Sequence, residues 1–165
     1  MAKIARLPTA DFGADALRKL ESSGLTAAQG AALGMYDVDN AAGLDPQFKG
    51  LPALVIPYYT PDATPSRAHP SWPDFYRIRY LGEAPIGFAE VAGQKPTRYT
   101  QPQNTGVCAY FPKVANWKAI RDDVNEPVLI TEGELKAAKA TVEGFPTIGL
   151  GGVYSFRSAK QGIFF

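Results

Sequence analysis

Residues 127–140 read PVLITEGELKAAKA, and residues 144–153 read GFPTIGLGGV. This order predicts an apolar strand, an acidic turn, a helix, a second apolar strand and a glycine-rich turn. The acidic turn places Glu132 and Glu134 just beyond the C-terminal end of a strand that we expect to be buried. Open α/β sheets bind their ligands at that edge. The stretch therefore predicts a strand–helix–strand unit with a ligand site at its acidic turn.

The acidic turn suits two kinds of chemistry. The carboxylates of Glu132 and Glu134 are the hard oxygen ligands that Mg²⁺ prefers, and Glu132 could also transfer a proton to or from a hydroxyl group or a water molecule. Gly133 removes side-chain bulk where the backbone turns. The alternative is that both carboxylates only stabilise the positive end of the helix dipole. The pattern by itself leaves both interpretations open.

The composition excludes several classes of site. The chain has 165 residues, of which 45% are hydrophobic and 20% are charged, as in an ordinary globular protein. Cys108 is the only cysteine, which rules out an intrachain disulfide and a zinc site built on several cysteines, and any catalytic triad would have to use the single histidine, His69. No apolar run reaches the roughly 18 residues of a membrane span, and the first residues do not form a signal peptide. We expect a cytoplasmic protein without a membrane partner.

Three regions follow one another along the chain. Residues 1–50 are predicted to be helical, with a capping box between Thr26 and Gln29. Residues 51–121 are predicted to be rich in strands, and residues 122–165 hold the strand–helix–strand unit. The predicted fold class is α/β, or α+β overall, with a helical N-terminus, a small mixed sheet and an incomplete βαβ half-domain.

The middle of the chain is basic and aromatic. Residues 66–121 hold eight basic and three acidic side chains. Residues 74–81 alternate in the manner of a half-exposed strand, which turns Arg77 and Arg79 outward. Arginines contact phosphates and exposed aromatic rings stack on bases. The residues predicted to bind nucleic acid are Arg77, Arg79, Arg98, Trp72, Tyr99 and, on the helix after the acidic turn, Lys136. The alternative is a sheet with an aromatic core and solvated charges.

A family resemblance adds to this interpretation. The segment Val128–Val153 resembles the opening strand, acidic loop, helix and second strand of Toprim domains, the metal-binding modules of primases and topoisomerases. More narrowly, ITEGELKAA at 130–138 with GFPTIGLGGV at 144–153 is similar to the Toprim-like domain of phage and plasmid replication proteins. The similarity extends upstream to about Leu17.

The resemblance implies a primase-like reaction, in which nucleotides are transferred on a single-stranded template with the help of a metal ion. Glu132 would be the catalytic carboxylate, and Glu132 and Glu134 would be ligands of Mg²⁺, or of Mn²⁺. The implied partners are single-stranded DNA, nucleotides, and a replication helicase or a C-terminal continuation of the chain. The implied location is the cytoplasm of a bacterial host cell.

The sequence also departs from the Toprim pattern. A working Toprim site needs a later Asp-x-Asp motif, and this sequence has no Asp after Asp123. Either the chain is the N-terminal part of a longer protein, which we favour, or it is a relative that has lost catalysis. The alternatives to a primase are a non-catalytic module that binds single-stranded nucleic acid, a piece of a Toprim nuclease or topoisomerase, and a structural or protein-interaction domain.

Overall fold

The computed structural model describes residues 11–71, 73–82 and 98–152, together with the backbone of residues 157–158 and 163–164. The helices are α1 (Ala14–Ser22), α2 (Ala27–Ala32), α3 (Trp117–Asp122) and α4 (Glu134–Val142), with a short 3-10 helix at Ala41–Gly43. The strands are β1 (Tyr36–Val38), β2 (Ala53–Pro57), β3 (Tyr76–Tyr80), β4 (Tyr99–Thr100), β5 (Leu129–Glu132), β6 (Thr147–Leu150), β7 (Arg157–Ser158) and β8 (Ile163–Phe164). Helices combine with an antiparallel sheet and a parallel pair, which confirms the mixed α/β fold class.

The first four strands form one antiparallel sheet in the order β1-β2-β3-β4. Strand β2 is covered on both faces, because four consecutive residues of it are apolar and fully buried. On one face, Leu54 and Ile56 belong to a core built with helices α1 and α4. On the other face, Ala53 and Val55 pack in a second cluster with Phe48. The sheet is therefore the central layer of the described part of the chain.

The structure corrects the predicted orientation of Arg77 and Arg79. In the β2–β3 pairing, Arg77 lies opposite Ile56 and Arg79 lies opposite Leu54, so both arginines share the face on which the helices pack. Both are half-buried. The outward orientation was wrong because it assumed that one face of the sheet is open to solvent. The unbroken apolar run of β2 was the sequence signal for burial on both faces.

The N-terminal region forms a helical hairpin on that face. The predicted capping box is confirmed: the Thr26 N–H donates to Gln29 Oε1 at 2.8 Å, and the Gln29 N–H donates to Thr26 Oγ1 at 3.2 Å. Helix α1 ends in a turn at Gly24, whose φ is +75°. A Cβ at Gly24 would lie 3.0 Å from Cε of Lys139. The end of α1 therefore packs closely against α4.

The strand–helix–strand unit has the predicted order, with β5 and β6 as parallel neighbours joined by α4. On its other side, β6 exchanges two backbone hydrogen bonds with Tyr110, both through Gly149, at 2.8 and 2.9 Å. The prediction that the first strand is buried was wrong, since Leu129 is 50% and Ile130 is 69% exposed. Among the described residues β5 pairs only with β6, and α4 packs mainly on β6. The outer side of β5 consequently lacks cover in this part of the chain.

Candidate functional site: a charged cleft at the acidic turn

A cleft of about 730 Å³ lies between the C-terminal end of α1, strands β3 and β4, and the acidic turn after β5. It opens at the carboxyl ends of the parallel strands β5 and β6, which is the edge that the sequence predicted. Its lining is rich in charged side chains from separate segments of the chain. These are Lys19, Arg77, Glu132, Glu134, Lys136 and Lys139. Tyr99 and Gly151 also line it.

The backbone of the acidic turn is fixed by Gly133. Its φ of +95° is a conformation that residues with a side chain rarely adopt. The Gly133 N–H donates to the carbonyl oxygen of Leu150 at 2.8 Å, so the turn is tied to the end of β6. Helix α4 begins immediately afterwards at Glu134. This arrangement points the side chains of Glu132 and Glu134 in different directions.

Glu134 is the centre of a buried polar network. Its side chain is 1% exposed, and its Oε1 accepts hydrogen bonds from the Tyr58 hydroxyl at 2.6 Å and from Arg77 Nη1 at 2.5 Å. Arg77 Nη1 also donates to the carbonyl oxygen of Gly151 at 2.9 Å. The network therefore joins the end of β2, strand β3, the start of α4 and the turn after β6. Buried charges require such partners.

The protonation of the network follows from its surroundings. Burial and the adjacent Glu134 carboxylate raise the pKa of Tyr58 well above its ordinary value. Burial lowers the pKa of Arg77, but the Glu134 carboxylate and Tyr58 more than offset this, so the pKa of Arg77 is raised. Tyr58 is thus a neutral donor and Arg77 a cation throughout the physiological range.

Packing explains two glycines, Gly149 within β6 and Gly151 in the turn after it. A Cβ at Gly151 would lie 2.7 Å from Arg77 Nη1, where it would push the guanidinium away from Glu134. A Cβ at Gly149 would lie 3.1 Å from the Cβ of Ala137 and 3.2 Å from Cδ1 of Tyr110. These glycines allow close approach between elements. The glycine-rich pattern needs no phosphate ligand to account for it.

Glu132 has the opposite environment, since its side chain is exposed at the mouth of the cleft. The donor set around it does not fit a Mg²⁺ site by itself. Glu134, the second predicted ligand, is instead the ion-pair partner of Arg77, and a guanidinium so close to the carboxylate disfavours a second cation. The described residues contain no group of three or more His, Cys, Asp or Glu side chains placed to hold a metal ion. The acidic turn thus offers one open carboxylate.

Three of the six residues predicted to bind nucleic acid line the cleft. Arg77, Tyr99 and Lys136 line the cleft, and Lys136 is exposed there. The guanidinium carbon atoms of Arg77 and Arg79 lie 5.4 and 5.8 Å from the ring centroid of Tyr99, so this half-buried ring already contacts cations. Arg98 is the neighbour of Tyr99 and donates to the Gly82 carbonyl at 3.2 Å. Trp72 lies outside the described residues.

Lys19 and Tyr58 are the parts of the site that the sequence did not reveal. Lys19 comes from α1, which was predicted only as part of a helical N-terminal region, and Tyr58 reaches a carboxylate 76 positions away in the chain. No local pattern indicates such contacts.

Cys108 plays no part as a nucleophile near neutral pH, because burial raises the pKa of its thiol to about 11.

Comparison with known proteins gives a partial match. A family model described as a domain of unknown function, DUF3854, matches residues 116–163, which include α3, the acidic turn, α4 and β6. No curated protein and no solved structure matches the chain. Within the described ranges, every helix is too short or too polar to cross a membrane. The part of the chain that is similar to a known family is therefore the one that carries the acidic wall of the cleft.

Proposed function

We propose that this chain binds single-stranded nucleic acid in the cleft, as part of a Toprim-like, primase-like replication protein. The observation that carries the proposal is the make-up of the cleft. It opens at the carboxyl ends of two parallel strands and gathers basic side chains from α1, β3 and α4 around the acidic turn. Ligands of open α/β sheets bind at this edge. Basic side chains there favour a ligand that carries phosphates.

The charge balance of the cleft supports a phosphate-bearing ligand. Arg77 is paired with Glu134, and Lys139 with Glu143. Lys19 and Lys136 form no ion pair within the described ranges, and the open carboxylate that lines the cleft with them is that of Glu132. A surplus of positive charge is left along the walls. The volume of about 730 Å³ lies within the range of about 300–1,000 Å³ that is typical of small-molecule sites, so one or two nucleotides fit.

Glu132 takes the catalytic position in this proposal. It is the only carboxylate of the acidic turn that is open to a ligand, and it could accept or return a proton there. The resemblance to Toprim domains assigns the same residue. Because the donor set does not fit a Mg²⁺ site by itself, metal-dependent nucleotidyl transfer requires further acidic ligands from outside the described residues. The activity that the cleft supports directly is binding.

Fluorescence anisotropy of a labelled single-stranded oligodeoxynucleotide over a series of salt concentrations tests the proposal. If the four basic side chains that line the cleft contact phosphates, the slope of log affinity against log salt is about −3. Lys136→Ala removes one contact and should reduce the slope by about 0.7. Lys118→Ala is the matched control, because Lys118 is an exposed lysine of α3 that does not line the cleft. Absence of binding at low salt, or equal effects of the two substitutions, would overturn the proposal.

A non-catalytic module that binds single-stranded nucleic acid is the second candidate, and the incomplete donor set of the acidic turn favours it. The two candidates differ in their response to Mg²⁺. In the non-catalytic module, Glu132→Gln leaves the affinity unchanged, with and without Mg²⁺. In the primase-like protein, Mg²⁺ strengthens nucleotide binding, and Glu132→Gln removes that effect. Relaxation or nicking of a supercoiled plasmid would instead favour a Toprim topoisomerase or nuclease.

A further inference from the structure

We propose that strand β5 is an interface between two copies of this chain, which pair antiparallel along the outer edges of their β5 strands. The inference goes beyond the proposed function, because it concerns an assembly surface and requires no ligand in the cleft. Three features of β5 carry it. These are an open backbone edge, exposed apolar side chains, and an order of side chains that is compatible with itself.

The backbone of β5 is paired on one side. The Leu129 N–H donates to the Pro146 carbonyl at 2.9 Å, and the Gly133 N–H donates to the Leu150 carbonyl at 2.8 Å. Among the described residues, β5 pairs with β6 alone. Alternate residues of a strand direct their backbone groups to opposite sides, so Ile130 points its N–H and C=O away from β6. Such an edge is a template for another strand.

The side chains of this edge are apolar and open to solvent. Val128, Leu129 and Ile130 are 41%, 50% and 69% exposed. Proteins protect an open edge with lysine, proline, a bulge or an inward-pointing charge, and residues 128–131 contain no lysine, proline or charged side chain. An exposed apolar surface of this kind marks an interaction site. The edge of β5 is therefore built to be covered by a strand.

The order of the side chains favours a second copy as that strand. A contact with two-fold symmetry brings the same surface of both copies together, which sets the two β5 strands antiparallel. With Ile130 opposite the Ile130 of the second copy, Leu129 lies opposite Thr131 and Val128 opposite Glu132. Each pair then contains an apolar side chain, and no two carboxylates meet. A register centred on Leu129 would instead place Glu132 opposite Glu126, where like charges repel.

The proposed contact is small, because β5 has only four residues. Interfaces of this size are weak and transient, so we expect a dimer with a dissociation constant of about 10–100 μM. The fraction of dimer then depends on protein concentration. Unfolding experiments at about 1 μM protein report on the monomer.

Sedimentation velocity of the whole chain, from about 1 to 500 μM, tests the proposal. We expect the wild type to pass from monomer to dimer over this range. Ile130→Lys would place two ammonium groups opposite each other and should raise the dissociation constant about tenfold or more. Val124→Lys is the matched control, because Val124 is 95% exposed and lies outside β5. It should associate as the wild type does, and circular dichroism should show all three proteins equally folded.

Three results of this experiment would overturn the interface. The first is a wild type that stays monomeric at every concentration. The second is an equal effect of Ile130→Lys and Val124→Lys on the dissociation constant. The third is growth of open-ended aggregates instead of a dimer, because a contact with two-fold symmetry closes after two copies.

A cross-linking experiment tests the register. In a Cys108→Ser background, Ile130→Cys introduces the single thiol of the chain. Directly opposed residues of an antiparallel hydrogen-bonded pair have Cα atoms about 5.5 Å apart, a separation that a disulfide spans. Mild oxidation should therefore link two copies through residue 130. Val124→Cys in the same background should link far fewer, and equal linkage in the two variants would reject the pairing of β5 with itself.

Discussion

Glu132 and Glu134 stand two positions apart and have opposite environments. Glu132 is exposed in the cleft, whereas Glu134 is buried against Arg77 and Tyr58. The difference arises at Gly133, whose positive φ turns the backbone between them. One carboxylate is thus available to a ligand, and the other holds the acidic turn against the sheet. At the scale of single residues, the acidic turn separates an open carboxylate from one that holds the backbone in place.

The first prediction concerns this separation. Glu134→Gln leaves the Arg77 guanidinium half-buried without its counter-charge, so we expect the free energy of unfolding to fall by about 3–5 kcal/mol. Glu132→Gln is the matched control, because the same change at an exposed position should alter stability by less than about 0.5 kcal/mol. Urea denaturation followed by circular dichroism measures both. Similar losses in the two variants would contradict a buried network centred on Glu134.

The second prediction concerns Gly151. In Gly151→Ala the new Cβ would lie 2.7 Å from Arg77 Nη1, so the guanidinium or the turn must move, at a cost of about 1–3 kcal/mol. Gly43→Ala provides the control, since a Cβ there has no neighbouring atom within 4 Å. Thermal unfolding should show a lower midpoint for Gly151→Ala only. If both variants unfold at the wild-type temperature, Arg77 does not require the space that Gly151 leaves.

At the scale of elements, the sequence predicted what local patterns control. The capping box at Thr26, the order β5–α4–β6 and the position of the acidic turn depend on neighbours within a few residues, and the structure has them. The orientation of Arg77 and the exposure of β5 depend on which elements pack over them from elsewhere in the chain. Alternation along a strand cannot tell whether a helix will cover its polar side. The same limit hid Lys19 and Tyr58.

The third prediction tests the exposure of β5. Ile130 is 69% exposed and Ile56 is fully buried in β2. Ile56→Ala should therefore cost about 2–5 kcal/mol, whereas Ile130→Ala should cost about 1 kcal/mol or less, mainly through the lower strand propensity of alanine. Urea denaturation of the two variants measures the difference between their free energies of unfolding. The midpoints are compared with the same slope of that free energy against urea concentration. A large loss at Ile130 would show that β5 is covered in solution, as the sequence alone had predicted.

At the scale of the molecule, one core links regions that the sequence placed in three parts, residues 1–50, 51–121 and 122–165. The larger core contains Leu20 of α1, Ile56 of β2 and Ala138 of α4. The network of Glu134, Arg77 and Tyr58 and the hydrogen bonds between Tyr110 and Gly149 cross the same boundaries. The cleft has walls from all three parts, so its shape depends on their packing together.

The fourth prediction follows from this shared core: the described regions should unfold in one cooperative transition. Trp117 is buried in α3, with its indole N–H donating to the Pro112 carbonyl at 2.9 Å, so its fluorescence reports on the region before β5. In a Trp72→Phe background, the urea transitions seen by Trp117 fluorescence and by circular dichroism should coincide. Arg77→Met combined with Glu134→Met replaces the charged pair with apolar side chains and leaves no unpaired buried charge. Because the apolar core remains, the two transitions should still coincide in this double variant. Separate transitions in the wild type would mean that the parts fold independently, and a cleft built from all three would then not be a fixed site.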